Sequence, residues 1–165
     1  MNHFQSLKTL SYVQVRRILR IWIQTIIPPA ITTALYFLIF GELIGSRIGE
    51  MPGYEGLTYL EFMVPGLIML AVITNSYANV ASAFFGAKFQ KAIEEILISP
   101  MANWAILLGF IVGGIARGVL VGVVVVLVSL FFTNFGISNI FLTLFSILLT
   151  STLFSILGLI NGVYA

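Results

Sequence analysis

The chain has 165 residues, 59% of them hydrophobic and 8% charged, a mean hydropathy of +1.09 and a formal net charge of +2. A soluble domain carries about 25% charged residues, so this composition defines an integral membrane protein, and the net charge is too small to suggest nucleic acid as a partner. There is no Cys, no Asp, and a single His at position 3. That inventory excludes disulfides, thiolate metal sites, a catalytic triad and a His-rich metal centre.

Residues 4 to 26 are predicted to form an amphipathic helix. Phe4, Leu7, Val15, Ile18, Leu19 and Trp22 share one side, and Arg16, Arg17, Arg20 and Gln24 the other, with Lys8 out of pattern. This suits a helix lying in the membrane interface. Arg16-Arg17 before an apolar run looks like an export signal, but the run is too long and lacks a small-residue cleavage site. Pro28-Pro29 is expected to be the bend into the first span, because proline breaks a helix interior and fits its first turn. From Pro28 to Ser46 is about 28 Å of helix, enough to cross.

Residues 42 to 61 form the first external segment, with Glu42, Glu50, Glu55 and Glu61 against Arg47 and with Gly and Pro-Gly turn signals. The second span is expected to start near Pro65 and to run to about Ala87. A short charged helix follows over 88 to 101. The third span begins around Asn103-Trp104 and passes through Arg117 to about Phe132. Thr133 to Asn139 is a turn, and the fourth span runs from Ile140 to about Val163. Lys8, Arg16, Arg17 and Arg20 precede the first span, and Lys88 and Lys91 lie in the 88–101 loop. The distribution of basic residues therefore places the N-terminus and that loop in the cytoplasm.

Three features carry functional candidates. In the 88–101 stretch, Phe89, Ile93, Ile96 and Leu97 form an apolar face, and Lys88, Lys91, Glu94, Glu95 and Ser99 the rest; Pro100 ends it. It is either a solvated connector on the membrane or a docking helix. A plain hairpin needs only about 2–8 residues, which favours docking. Arg117 lies about 20 Å along the third span from Trp104. Gly109, Gly113, Gly114, Gly118 and Gly122 surround it at close-packing spacing. It is either a structural arginine that hydrogen-bonds another helix or one that meets an anion. Finally, Ala71, Asn75, Ala78, Asn79, Ser82 and Gly86 form a polar stripe on the second span, which serves as helix–helix glue or lines a pathway. No G-x-x-x-x-G-K-[ST] motif occurs, which excludes ATP binding through a P-loop. The absence of a mid-span carboxylate argues against a proton-coupled transporter.

The order of these pieces resembles the ABC type-2 exporter permeases, most closely the YadH-like bacterial inner-membrane branch. The matching residues are Arg20-Ile21-Trp22 leading to Pro28-Pro29, FGELIGSRIG (40–49), FMVPGLIML (62–70), NSYANVASAFFGAKFQKAIEEILISP (75–100), GGIARG (113–118) and GLINGVYA (158–165). The resemblance covers essentially the whole chain. It implies an all-α membrane fold with an N-terminal interfacial connecting helix over about 4–26. It implies a homodimer of the permease in the lipid bilayer and a separate cytoplasmic ATP-binding subunit that uses ATP, with no cofactor on this chain. The loop from Lys88 to Pro100 becomes the coupling helix, with Lys91, Glu94, Glu95, Ile96, Leu97 and Pro100 as docking residues. Asn75, Asn79, Ser82 and Arg117 become pathway or helix-interface residues. The departure is length: such permeases have six spans and four fit here, so a fragment or a truncated reading frame is expected. The family exports polysaccharides, lipid-linked glycans and drugs. The alternative function is a membrane scaffold that recruits a cytoplasmic partner without transport.

Overall fold

The computed structural model describes residues 3–45, 58–99, 101–133 and 139–165. Six α-helices account for nearly all of them: α1 (His3–Arg20), α2 (Trp22–Phe37), α3 (Tyr59–Phe89), α4 (Ala92–Ile98), α5 (Asn103–Phe132) and α6 (Ile140–Tyr164). A π-helical segment, Leu38–Gly45, continues α2. Among the described residues, four stretches are long and apolar enough to cross a membrane: Trp22–Gly41, Tyr59–Phe89, Asn103–Phe132 and Ile140–Tyr164. The chain is an all-α, multi-pass membrane protein.

α3, α5 and α6 form the packed heart of the bundle, and small residues let them approach. Along α5, Gly114 faces Val80 and Ser155, Gly118 faces Ser76 and Ser151, and Gly122 faces Val72 and Ile147. The α3 and α6 numbers fall as the α5 numbers rise, so both helices run antiparallel to α5. A side chain at Gly158 would meet the Tyr77 carbonyl oxygen at 2.5 Å, so α6 rests on the α3 backbone itself. Within lipid there is no hydrophobic drive between helices, and close van der Waals packing of this kind is what holds them. Two of the buried serines are satisfied locally, Ser76 Oγ donating to the Val72 carbonyl at 2.7 Å and Ser151 Oγ to that of Leu148 at 3.0 Å, whereas Ser155 Oγ has no partner among the described residues.

α1 and α2 take the opposite edge of α5. Leu10 lies against Gly109 and Gln14 against Gly113, and further along the Phe37 ring meets Phe132 with centroids 5.4 Å apart. Numbers rise together, so this N-terminal arm runs in the same direction as α5. The buried edge of α1 is Gln14 and Ile18, while Phe4, Leu19 and Trp22 are exposed. The apolar side expected from the wheel is thus rotated toward Gln14, whose polarity hides it from a hydrophobicity pattern.

Two expected boundaries are corrected. The helix expected over 4–26 breaks at Ile21, between α1 and α2, and Pro28-Pro29 lies inside α2 rather than at a bend. Each proline removes one N–H, leaving the Gln24 and Thr25 carbonyls without their usual partners; spanning helices tolerate this where neighbours or cavities surround the gap. The second span starts at Tyr59, six residues before Pro65. Thr58 and Glu61 form a capping box there, the Thr58 N–H donating to Glu61 Oε2 at 2.9 Å. Two otherwise unpaired N–H donors at the helix start are thereby satisfied reciprocally. The expected limits of the third and fourth spans agree with α5 and α6. Most of the expected external segment, 46–57, and the turn residues 134–138 lie outside the described residues.

Candidate functional sites

Two groups of residues stand out, at opposite ends of the argument from packing. The first is α4. The chain leaves α3 through Lys91, which adopts φ 58°, the left-handed region. This reversal stops α3 and starts α4 at once, the Glu94 N–H donating to the Lys91 carbonyl at 3.1 Å. Ile93 and Ile96 then pack against the buried cluster of Val80, Ala83, Ile106, Phe110 and Leu159. Those five residues come from α3, α5 and α6. Ser99 closes the helix, its Oγ donating to the Ile96 carbonyl at 2.6 Å.

The expected apolar face of this stretch is divided by the fold. Ile93 and Ile96 turn inward, while Phe89 and Leu97 remain exposed alongside Lys91, Glu94 and Glu95. Ile98, absent from the expected face, is 85% exposed. Lys88 is engaged elsewhere, its Nζ donating to the Val163 carbonyl at the end of α6 at 3.2 Å. Pro100 lies outside the described residues. The outward edge of α4 is therefore acidic and apolar together, on a base rooted in three spans.

The second group surrounds Arg117, midway along α5. Its Nη1 donates to Asn79 Oδ1 at 3.4 Å, and Asn79 is almost fully buried. Two residues singled out separately in the sequence are thus brought together. Arg117 Nε is buried with no hydrogen-bond partner among the described residues. Asn75 sits one turn away and donates from Nδ2 to the Ala71 carbonyl at 3.0 Å. Ser82 is exposed and donates to the Asn79 carbonyl at 3.3 Å, so it does not join the cluster.

Beside Arg117 lies a half-open cleft of about 450 Å³ between α2 and α3. Gln24, Thr32 and Thr33 of α2, Thr74 and Asn75 of α3, and Arg117 supply its polar groups; Pro28, Pro29, Tyr36, Leu67 and Leu70 line the remainder. The cleft exists because α2 packs on α5 and hardly touches α3. Its α2 wall was invisible to the search for apolar periodicity. The signal that could have found it is the recurrence of Gln24, Thr32 and Thr33 around the proline pair.

Membership of a family follows from comparison with known proteins. The sequence profile of the ABC-2 type transporter family matches residues 5–165, and the chain belongs to that family. It is similar to the inner membrane transport permease YadH of Escherichia coli K12, at 51% identity over 163 residues. That alignment takes in 99% of this chain and 62% of the relative. The permease of the same name from Shigella flexneri matches to the same extent. The chain thus spans 62% of the length of these relatives. No solved structure matches.

Proposed function

We propose that this chain is the membrane-spanning part of an ATP-driven exporter of the bacterial inner membrane, worked by a separate cytoplasmic ATP-binding subunit. In this reading α1 is the connecting helix at the membrane interface, with its basic residues toward headgroups and the N-terminus cytoplasmic. α4 within the 88–100 loop is the coupling helix. Two permease chains form the complex, and the polar residues around Arg117 serve the helix interface or the export pathway.

The observation that carries the proposal is the seating of α4. Ile93 and Ile96 are rooted in one cluster with residues of α3, α5 and α6, while Glu94, Glu95, Leu97 and Ile98 face outward. A force applied to the exposed edge reaches three spans without an intervening loop. For ATP to drive the change, the partner must bind the two permease states with different affinity.

The test is affinity capture of the full-length permease in mild detergent, with the retained proteins identified by mass. A stoichiometric subunit carrying G-x-x-x-x-G-K-[ST] is expected with the wild type. Reversing both charges, E94K with E95K, is expected to remove it while membrane insertion stays intact. An intact wild-type membrane complex with no ATPase would overturn the exporter reading in favour of a recruiting scaffold.

A further inference from the structure

Arg117 is short of acceptors. Asn79 takes one N–H, and the buried Nε has no partner among the described residues. Among those residues no carboxylate pairs with it. The charge that α1 carries toward it is of the same sign: Arg17, which is exposed. The parallel packing explains the meeting. Leu10 on Gly109 and Gln14 on Gly113 bring the next turn of α1 to Arg117. Two guanidiniums brought to neighbouring turns of different helices, with no counter-charge among the described residues, repel each other. An anion with several oxygens relieves this, and phosphate matches the guanidinium fork, as carboxylate does, with oxygens left for a second arginine.

The cleft indicates what the anion is attached to. Arg117, Gln24 and Asn75 cluster at one end. From there the cleft runs past Pro28, Pro29 and Leu67 toward Tyr36, about 18 Å along α2 from Gln24 to Tyr36 at the helical rise. Its charge lies at one end, and apolar wall predominates along the rest. Its volume of about 450 Å³ falls within the roughly 300–1,000 Å³ of small-ligand pockets.

We propose that Arg17 and Arg117 hold the phosphate of one resident bilayer phospholipid, with a hydrocarbon chain of that lipid lying in the cleft between α2 and α3. The lipid is a fixed component of the fold, bridging α2 and α3, which hardly pack on each other directly. Its presence does not depend on an ATPase, and of the two roles offered above for the residues around Arg117 it takes the helix interface.

The test is native mass spectrometry of the full-length permease, delipidated and then titrated with phosphatidylglycerol. Diacylglycerol supplies the chains without phosphate, and inorganic phosphate the anion without chains. One tightly retained phosphatidylglycerol is expected for the wild type. R17Q and R117Q should each weaken it roughly tenfold, the effect of losing a charge-assisted hydrogen bond. K8Q, which removes an exposed charge of α1 away from Arg117, should leave it unchanged. R17Q alone decides the matter should R117Q fail to fold. Equal retention by R17Q and wild type, equal loss in K8Q, or equal binding of diacylglycerol would overturn the proposal. Occupancy by inorganic phosphate that excludes the lipid would overturn the lipid assignment and give the site to free phosphate.

Discussion

The two edges of α5 carry the same glycine spacing and meet very different neighbours. On one edge Gly114, Gly118 and Gly122 meet Val80, Ser76, Val72 and the serines of α6, and the helices close up. On the other, Gly109 and Gly113 meet Leu10 and Gln14, and beyond them come Arg117, the prolines of α2 and the cleft. Glycine spacing permits close approach; the partner decides whether it is realised. Where the partner offers Ser or bare backbone, a sealed interface results. Where it offers long, polar or kinked residues, the outcome is room for something else.

This contrast can be broken most severely at the closed edge. Gly158→Val would drive its side chain onto the Tyr77 carbonyl, and backbone cannot yield as a side chain can. A loss of about 3 kcal/mol is expected, at the upper end of the usual range for overpacking, read as a lowered Tm of the full-length protein in detergent. Next comes Asn79→Ala, which leaves Arg117 without its hydrogen-bond acceptor on α3. Loss of about 2 kcal/mol is expected for a buried group stripped of its partner, and Asn79→Asp should show a smaller loss in the same melt. Gly113→Ala sharpens the comparison. Its new methyl is tight only against the Gln14 Cβ at 3.1 Å, on a peripheral helix that can give way, and meets Asn79 Nδ2 at an ordinary 3.7 Å. A cost of about 1 kcal/mol or less is expected, measured by the same unfolding curves. Gly66→Ala probes a glycine of α3 with nothing within 4 Å. It should stabilise by about 0.5–1 kcal/mol, the usual helical gain of Ala over Gly, so a lowered Tm would reveal a neighbour at that position.

The sequence carried the closed edge far better than the open one. The limits of α5 and α6 follow from unbroken apolar runs, with Asn139 capping α6 by accepting from the Leu142 N–H at 3.3 Å. Those are local signals. The start of α3 was misplaced because Pro65 outweighed Thr58 and Glu61, whose cap lies in a stretch that reads as acidic loop. The start of α2 was misplaced because two prolines signal a break, whereas contact of α2 with α5 keeps the helix running through them. Asn79 and Arg117 were each conspicuous, yet their pairing spans 38 residues and depends on the register of α3 against α5. The cleft was not legible at all, since it is a gap left by one helix docking on another. The division of the α4 apolar face was hidden for a related reason. Ile96 and Leu97 are adjacent in sequence, and only the base of the bundle determines which is covered.

Lys91 has a mechanical consequence. Its φ of 58° is a conformation that costs a side-chain-bearing residue roughly 1–2 kcal/mol. Glycine would relax there freely, but lysine has few neighbouring conformations to visit. The elbow between α3 and α4 is therefore held at a defined angle, and in engineering language the joint has low backlash. Lys91→Gly would keep the shape and introduce play.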